Sequence, residues 1–263
     1  MSSSLGLVPS VVHLPEDRLR PDRAAPGLAE DETVFLFMFD FLSHVRRKNP
    51  EAVVEAFCAA FPAGEEKVRL LIKTQGGEHA PEDWRRLGDL CLDPRIEIRD
   101  AKIDRAEVIA LIEAADAFVS LHRAEGFGRG PAEAMWLGKP VISTDYSGTS
   151  DFADHETAFL VGYQRVPVAV EDYPGAEGQD WADPDVEEAA RAMRRIHTHP
   201  EAARAIGARG QTRVRSLYHP RIAGEAMRVA LGLVPPAAAP PALPPRRRAR
   251  PRPALAKPAA DLG

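Results

Sequence analysis

Two glutamates frame a glycine-rich segment near the middle of the chain: Glu125 precedes Gly126-Phe127-Gly128-Arg129-Gly130, and Glu133 comes two residues after Pro131. Glycines let backbone N–H groups approach a ligand with no Cβ in the way, and Pro131 is typical of a first helical turn, whose unpaired N–H groups attract anions. One carboxylate is at a predicted strand exit and the other in a helical turn, so a glycosidase-type pair is not expected. The segment suits a ligand with an anionic group and hydroxyl groups. A glycine turn, with Glu133 only complementing the helix dipole, is the alternative.

Cations follow the first two predicted strands. Arg46-Arg47-Lys48 stand just before a helix that Asn49 is expected to cap and Pro50 to open, and Lys73 ends the second strand. Because the carboxyl ends of parallel strands meet at one edge of a sheet, these cations and the glycine segment are expected to face one ligand. For Lys48 the alternative is a solvated cation before a helix. For Lys73, ligand contact and an exposed strand-end charge both fit.

Short apolar runs alternate with segments of helical periodicity from residue 33 onwards. This alternation predicts βαβ units and hence an α/β fold, a Rossmann-like parallel sheet with helices on both faces, followed by C-terminal helices. Residues 162–182 are expected to be irregular, and Asp183 is expected to cap the helix that follows. The predicted strands are 34–39, 68–73, 96–99, 117–121, 141–143 and 159–161, and the predicted helices include 132–137, 186–197, 201–217 and 221–231.

The glycine segment and its continuation, Ala134-Met135-Trp136-Leu137-Gly138-Lys139-Pro140, strongly resemble the donor-site motif of family 4 retaining glycosyltransferases. The basic segment around Lys48 and the sequence Tyr146-Ser147-Gly148 resemble the first loop of that family and the loop after its next strand. The resemblance covers about residues 33–231. It implies one half of a two-domain GT-B fold, transfer of a sugar with retention from a nucleotide-diphosphate sugar, and no requirement for a metal or another cofactor.

The resemblance also implies roles for individual residues. Lys48 matches the lysine that holds the donor diphosphate, Glu125 the glutamate that contacts the donor sugar, and Glu133 the glutamate that binds the ribose hydroxyls. Lys48 and Glu125 are therefore the predicted catalytic residues. The predicted substrate-binding residues are Ser43, Arg47, Lys73, Gly126, Phe127, Gly128 and Glu133, with the glycine segment acting through its backbone amides.

The chain departs from the family pattern at three positions. Ser43 stands where many relatives have an arginine, so Arg46 or Arg47 is expected to replace that cation. Arg129 stands where an apolar residue is usual, and Thr149 where asparagine is common. Both are expected to influence which sugar fits.

Two further candidates have an alternative interpretation that is purely structural. Asp183-Pro184-Asp185 has the Asp-x-Asp pattern of metal-dependent transferases, but it precedes a helix instead of following an apolar strand. Helix capping is therefore the favoured interpretation, and no metal site is predicted. His122 follows a strand beside Arg123, and both a pocket-lining role and a packed structural role remain open.

The sequence divides into a lead-in at 1–32, a nucleotide-sugar-binding glycosyltransferase domain at 33–233, and a Pro-, Ala- and Arg-rich tail at 234–263 that is expected to be disordered. The lead-in resembles the linker between the halves of a GT-B enzyme, so the chain is expected to carry the donor half. A separate chain or a homo-oligomer would then supply the acceptor half. The alternative is a non-catalytic donor-binding subunit or scaffold. A third and weaker hypothesis is a nucleotide-sugar hydrolase or epimerase. The lack of the dinucleotide fingerprint G-x-G-x-x-G counts against the epimerase.

Charge and composition narrow the set of partners. The net charge is −5, and because residues 235–263 carry five Arg, one Lys and one Asp, the rest of the chain carries −10. An acidic body argues against a nucleic-acid partner, whereas the Arg-rich tail suits either weak contact with an anionic membrane surface or solubility alone. The pattern shows no signal peptide or membrane span, and two cysteines fit a reducing compartment, so a cytoplasmic location is expected.

Overall fold

The computed structural model describes residues 10–12, 14 and 27–233. Its centre is a six-stranded parallel sheet with the strand order β3-β2-β1-β4-β5-β6. The strands are β1 (Thr33–Met38), β2 (Val68–Thr74), β3 (Ile96–Asp100), β4 (Ala117–Ser120), β5 (Val141–Thr144) and β6 (Phe159–Val161). Each of the predicted strands is confirmed to within one residue at either end.

Helices cover both faces of this sheet, as predicted. They are α1 (Val45–Lys48), α2 (Pro50–Ala60), α3 (Pro81–Leu90), α4 (Arg105–Ala114), α5 (Arg129–Trp136), α6 (Val186–Thr198), α7 (Pro200–Tyr218) and α8 (Pro220–Ala230). Helices α2, α3 and α6 pack on one face, and α4, α5 and the C-terminal half of α7 pack on the other, so each face has its own hydrophobic core. Helix α3 is an addition that the sequence pattern did not predict.

The central strand β1 is apolar on both sides because helices cover both faces of the sheet. Phe35 and Phe37 lie in the core beneath α2 and α6, whereas Val34 and Leu36 lie in the core beneath α4 and α5. Burial on both faces gives a continuous apolar run in place of an alternating one. The strand order reverses between β1 and β4, and a crevice outside the carboxyl ends of the strands at such a reversal is the usual ligand site of an open α/β sheet.

An antiparallel hairpin, β7 (Tyr163–Pro167) and β8 (Asp180–Pro184), replaces the irregular structure that was expected after β6. The predicted capping role of Asp183 is wrong, since Asp183 lies within β8. The cap of α6 is Asp185, whose carboxylate accepts from the N–H of Glu188 at 2.8 Å. The Asp-x-Asp pattern is thus divided between a strand and a helix cap. In the part of the chain that the structure describes, no group of three or more His, Cys, Asp or Glu side chains could hold a metal ion.

The described part of the lead-in has neither helix nor strand, but it packs against the domain. Val12, Leu14 and Leu28 are buried in the core beneath α4 and α5. The N–H of Val12 also donates to the carbonyl of Tyr218, at the end of α7, at 3.0 Å. These contacts hold the segment before β1 against the domain and join it to the C-terminal end of α7.

The tail predicted for 234–263 lies outside the described residues, and so does the surface contact expected of it. Within the described residues, no helix is both long and apolar enough to cross a bilayer. Helix α7 has 19 residues, a sufficient length, but four arginines lie within it.

Candidate functional site

The carboxyl ends of β1 and β4 bring the basic segment of α1 against Glu125. Lys48 Nζ donates to Glu125 Oε1, and Arg47 Nη1 lies 3.4 Å from Oε2 of the same carboxylate. Arg47 Nη1 also donates to the carbonyl of Ala124 at 2.9 Å. Residues separated by 77 positions in the sequence thus form one cluster at the strand-order reversal.

Backbone and amide contacts fix the basic segment in this place. Asn49 has a left-handed backbone with a φ of 59° and donates through Nδ2 to the carbonyl of Leu121 at 3.0 Å. The predicted capping role of the Asn49 side chain is therefore wrong, because this side chain joins the basic segment to the end of β4 instead. The Arg123 N–H donates to the Arg47 carbonyl at 2.8 Å. Ser43 contributes its carbonyl oxygen, which accepts from Arg47 Nε at 3.3 Å and from Nη2 at 3.1 Å.

Of the two arginines offered in place of the usual cation, Arg47 contacts Glu125 and Arg46 does not. Arg46 Nη1 pairs with Glu51 at 2.9 Å, and Arg46 Nε lies 3.3 Å from Asp172 in the loop between β7 and β8. Its charge is therefore matched by carboxylates away from the cluster. The geometry leaves Arg47 and Lys48 as the cations of the site.

Glu125 is ionised although only 13% of its side chain is exposed. Burial disfavours the charged carboxylate, but the Lys48 ammonium, with help from Arg47, outweighs burial and holds the pKa of Glu125 below its ordinary value. With two cations on one carboxylate, the cluster keeps a net positive charge. Such a cluster attracts an anion to the carboxyl ends of β1 and β4.

The glycine segment is shorter than predicted because α5 begins at Arg129, three residues before the predicted start at Ala132. A Cβ at Gly126 would meet nothing within 4 Å, so this glycine borders open space. Gly128 has a φ of +86°, and a Cβ there would lie 2.6 Å from Thr149 Cγ2. Gly130, within α5, is equally confined. Of the three glycines of this segment, Gly126 is thus the one that borders open space. Gly128 and Gly130 are required by turn geometry and close packing.

Phe127 and the loop amides have separate roles. The Phe127 ring packs on Phe152 and Tyr218, with ring centroids 5.5 and 5.1 Å apart, so its side chain belongs to the core. No hydrogen bond among the described residues uses the N–H of Gly126, Phe127 or Gly128. The Glu125 N–H, by contrast, donates to Ser147 Oγ at 2.8 Å. Backbone amides beside the cationic cluster are thereby left for a ligand.

Glu133 is almost fully buried, with 4% of its side chain exposed. Arg105 Nη1, at the start of α4, donates to Glu133 Oε2 at 2.8 Å. The other oxygen, Oε1, is buried and has no hydrogen-bond partner in the described part of the chain, the Arg129 Nη1 being 3.6 Å away. A carboxylate that only complemented a helix dipole would not be held in this way.

Lys73 is buried, so the exposed strand-end alternative is wrong. Its ammonium donates to the carbonyls of Thr74, at 2.6 Å, and Ala101. Burial lowers the pKa of Lys73 despite the opposing charges of Asp100 and Asp40. The lysine borders a cavity of about 330 Å³ between β3 and α4, apart from the contacts of the Lys48–Glu125 cluster. Ligand contact by Lys73 stays a prediction.

His122 is completely buried and fully hydrogen-bonded. Its Nε2 lies 3.1 Å from the Tyr146 carbonyl, and its Nδ1 lies 3.0 Å from Ser120 Oγ. Because a carbonyl only accepts, Nε2 carries the proton and Nδ1 accepts from the hydroxyl. Burial lowers the pKa of His122, which favours the neutral ring. Of the two roles left open by the sequence, the packed structural role fits these contacts.

His122→Gln is expected to reduce the loss of unfolding free energy that the wild type shows as the pH falls. A histidine with a lowered pKa in the folded state takes up its proton on unfolding, so the folded state loses stability as the pH falls below about 6.5. One proton corresponds to about 1.4 kcal/mol per pH unit. Urea unfolding of wild type and variant from about pH 8 to pH 5 measures the slope. His155→Gln, at an exposed position, is the control, and identical slopes for wild type and His122→Gln would contradict the assignment.

The model of the family Glycosyl transferases group 1 matches residues 32–173, more than half of the chain. The chain belongs to this family. The matched range contains the cationic cluster, the glycine segment and Glu133. The narrower resemblance to family 4 stays a prediction.

A curated relative matches a region of similar extent. Trehalose synthase of Pyrococcus horikoshii is 29% identical over 159 residues, which make up 57% of this chain and 33% of that protein. The chain therefore spans about a third of the length of this relative.

Solved structures share the fold of this chain. Sucrose-phosphate synthase of Thermosynechococcus elongatus matches with a TM-score of 0.64 and 24% identity, over 86% of this chain and 51% of that one. Anabaena HepE, in complex with UDP and glucose, matches with a TM-score of 0.60 and 16% identity, over 84% of this chain and 53% of the other. The likeness confirms the predicted fold, a Rossmann-like sheet of GT-B type, and the chain spans about half of each structure.

Sequence reasoning missed how the β7–β8 hairpin supports the candidate site. The Arg123 guanidinium lies over the Trp181 ring at 5.3 Å, and its Nη1 lies 2.8 Å from Asp183. At the hairpin tip, Tyr173 packs on His44 with ring centroids 4.7 Å apart. The hairpin is thereby joined to the backbone that carries Arg47. A tryptophan and an arginine outside any periodic pattern were the available signals.

Proposed function

We propose that this chain is the donor-binding half of a retaining, metal-independent glycosyltransferase that uses a nucleotide-diphosphate sugar. The observation that carries this proposal is the contact of Lys48 and Arg47 with Glu125 beside free loop amides. These groups combine an anion site with a hydroxyl-binding carboxylate at the strand-order reversal.

Cleavage of the bond between the sugar and the phosphate places negative charge on the departing diphosphate. Lys48, Arg47 and the amides of Gly126, Phe127 and Gly128 would stabilise this charge, since fixed donors in a partly buried site need little reorganisation. Glu125, freed from part of its pairing with Lys48, would accept hydrogen bonds from the donor sugar. Glu133 would bind the ribose through Oε1, which accepts no hydrogen bond from the described residues.

The relatives support a nucleotide sugar as the ligand class. Solved structures of HepE hold UDP and glucose, or UDP-glucose. The buried, Arg105-bound Glu133 fits the ribose part of such a ligand, and the Lys48–Arg47 pair fits its diphosphate.

We also propose that residues outside the described part bind the acceptor, whether they belong to this polypeptide, to another one or to a second copy of this chain. The alternative is a non-catalytic subunit that binds the donor. Release of nucleoside diphosphate from UDP-, GDP- and ADP-sugars by the purified chain distinguishes the two. Detectable turnover by the chain alone would eliminate the non-catalytic alternative, and turnover only after addition of a separately encoded acceptor half would favour the two-part enzyme.

A nucleoside diphosphate is expected to raise the melting temperature. A ligand that binds only the folded state stabilises it by about 2.7 kcal/mol at 100 times its dissociation constant. For a domain of about this size, that gain corresponds to roughly 5–10 °C. Thermal denaturation with UDP, GDP and ADP in turn measures the effect.

Glu133→Gln tests the site itself, because the amide keeps the size of the side chain but removes the carboxylate that would accept from the ribose. The rise in melting temperature caused by the nucleoside diphosphate is expected to fall to less than half of its wild-type value. Glu201→Gln, at an exposed position in the first turn of α7, is the matched control and should keep the full shift. If none of the three nucleotides raises the melting temperature, or if Glu133→Gln keeps the whole shift, the site is assigned wrongly.

A further inference from the structure

Arg105 stands at a fixed position beside Glu133. It is the first residue of α4, and the helix start is held by a reciprocal pair of hydrogen bonds between Asp104 and Glu107, both at 2.8 Å. From this start Arg105 reaches Glu133 Oε2 at 2.8 Å, across 28 positions of sequence. Half of its own side chain is exposed, so it covers the buried carboxylate from the solvent side.

The two oxygens of Glu133 are in different situations. Oε2 is occupied by Arg105, whereas Oε1 is buried without a hydrogen-bond partner among the described residues. Arg129 Nη1 forms an ion pair with Oε1 at 3.6 Å, beyond hydrogen-bond distance, and its side chain is 70% exposed. A buried acceptor without a donor is unfavourable, so Oε1 is stabilised by any ligand that brings a donor to it.

A hydrogen bond to one oxygen also fixes the plane of a carboxylate. While Arg105 holds Oε2, the Glu133 carboxylate cannot turn and exchange its two oxygens. Oε1 therefore remains the available acceptor, in one direction. A site with one fixed acceptor selects for a ligand whose hydroxyl meets it, and it rejects the analogue that lacks this hydroxyl.

We propose that Arg105 is a positioning residue for donor recognition, which holds Glu133 Oε2 so that Oε1 accepts from one ribose hydroxyl and selects ribonucleotides over deoxyribonucleotides. This inference rests on the proposed function, because it takes the ligand to be a nucleoside diphosphate. Arg105 itself acts through Glu133 and needs no contact with the ribose.

Calorimetric titration of the full chain tests this role. The probes are the nucleoside diphosphate that binds most tightly among UDP, GDP and ADP, together with its 2′-deoxy and 3′-deoxy forms. For the wild type, one deoxy form is expected to bind about 10- to 100-fold more weakly than the ribonucleotide, as fits the loss of a hydrogen bond to a charged group. For Arg105→Ala, the ribonucleotide should weaken by a similar factor, whereas the affinity for that deoxy form should stay within about threefold.

Two variants serve as controls. Arg105→Lys keeps a cationic donor and should retain most of the discrimination, and Arg228→Ala removes an equal charge from an exposed helix end and should change nothing. If Arg105→Ala does not fold, Arg105→Gln gives the same comparison without a cation on Glu133.

The outcomes separate this inference from the function on which it rests. If the wild type binds no nucleoside diphosphate, the proposed function fails. If it binds one, but Arg105→Ala discriminates as well as the wild type, only the role of Arg105 is overturned. Equal weakening of all three probes would show a structural effect and also overturn it. Tighter binding of the ribonucleotide by Arg105→Ala would show that Arg105 competes with the ligand for Glu133, which again contradicts the proposal.

Discussion

Lys48→Ala is expected to weaken the binding of a nucleoside diphosphate by about 10- to 150-fold and to leave the affinity for the corresponding nucleoside unchanged. The change removes a hydrogen bond between charged groups, which contributes about 1.5–3 kcal/mol. The nucleoside has no phosphate and does not need the ammonium. Where donor turnover is measurable, the rate should fall by about 10²–10³, as for loss of a donor that stabilises developing charge. Calorimetric titration with the two ligands measures the binding effect.

The control for this prediction is Arg46→Ala, since Arg46 lies in the same helical turn but pairs with Glu51 and Asp172. Its diphosphate affinity should stay within about threefold of the wild type, the range of a surface charge change. Lys48→Arg should restore part of the binding because it keeps the charge. Equal weakening of nucleoside and diphosphate by Lys48→Ala would contradict the role given to Lys48.

Gly148→Ala is expected to remove about 1–3 kcal/mol or more of unfolding free energy, and with it the nucleotide-induced shift in melting temperature. A Cβ at this position would lie 2.3 Å from the Gly126 carbonyl oxygen and 2.7 Å from Phe127 Cα. Both are backbone atoms, which cannot rotate away. The Gly148 N–H also donates to the Glu125 carbonyl at 3.0 Å, so the methyl group would separate the two loops that form the site. Thermal denaturation with and without nucleotide measures both effects.

Gly126→Ala is the matched control for Gly148→Ala. Its added Cβ would meet nothing within 4 Å, and its backbone is outside the left-handed region. Its stability should therefore change by no more than about 0.5 kcal/mol. If Gly148→Ala melts at the wild-type temperature, the loop after β5 does not press on the glycine segment, and the geometry of the site is wrong.

The sheet could be predicted from the sequence because parallel strands with helices on both faces leave continuous apolar runs. β1 and β4 are such runs, and the Asp104–Glu107 capping box at the start of α4 is a pattern that a sequence can show. Helix α3 escaped prediction because its apolar stripe is short. Trp84, Leu87 and Leu90 lie at helical spacing, but Leu87 is the one of them that is buried. The β7–β8 hairpin escaped because most of β7 is exposed, so tertiary pairing and not periodicity decides its structure.

The sequence predicted which segments meet at the candidate site but not the contacts of their side chains. Strand order brings the residues after β1 and β4 together, so a shared site for Lys48 and Glu125 follows from the fold. Spacing does not encode the direction of a long side chain. Residue spacing therefore did not predict that the Lys73 ammonium donates to the Thr74 and Ala101 carbonyls. Nor did it predict that Arg105 contacts Glu133 from another helix.

A crystal structure of the chain soaked with a nucleotide sugar would show where the diphosphate and the ribose bind. We expect diphosphate oxygens within hydrogen-bond distance of Lys48 Nζ and the amides of Gly126 to Gly128, with a ribose hydroxyl on Glu133 Oε1. A diphosphate bound away from Lys48, with the Lys48–Glu125 pair unchanged, would show that the site is assigned wrongly.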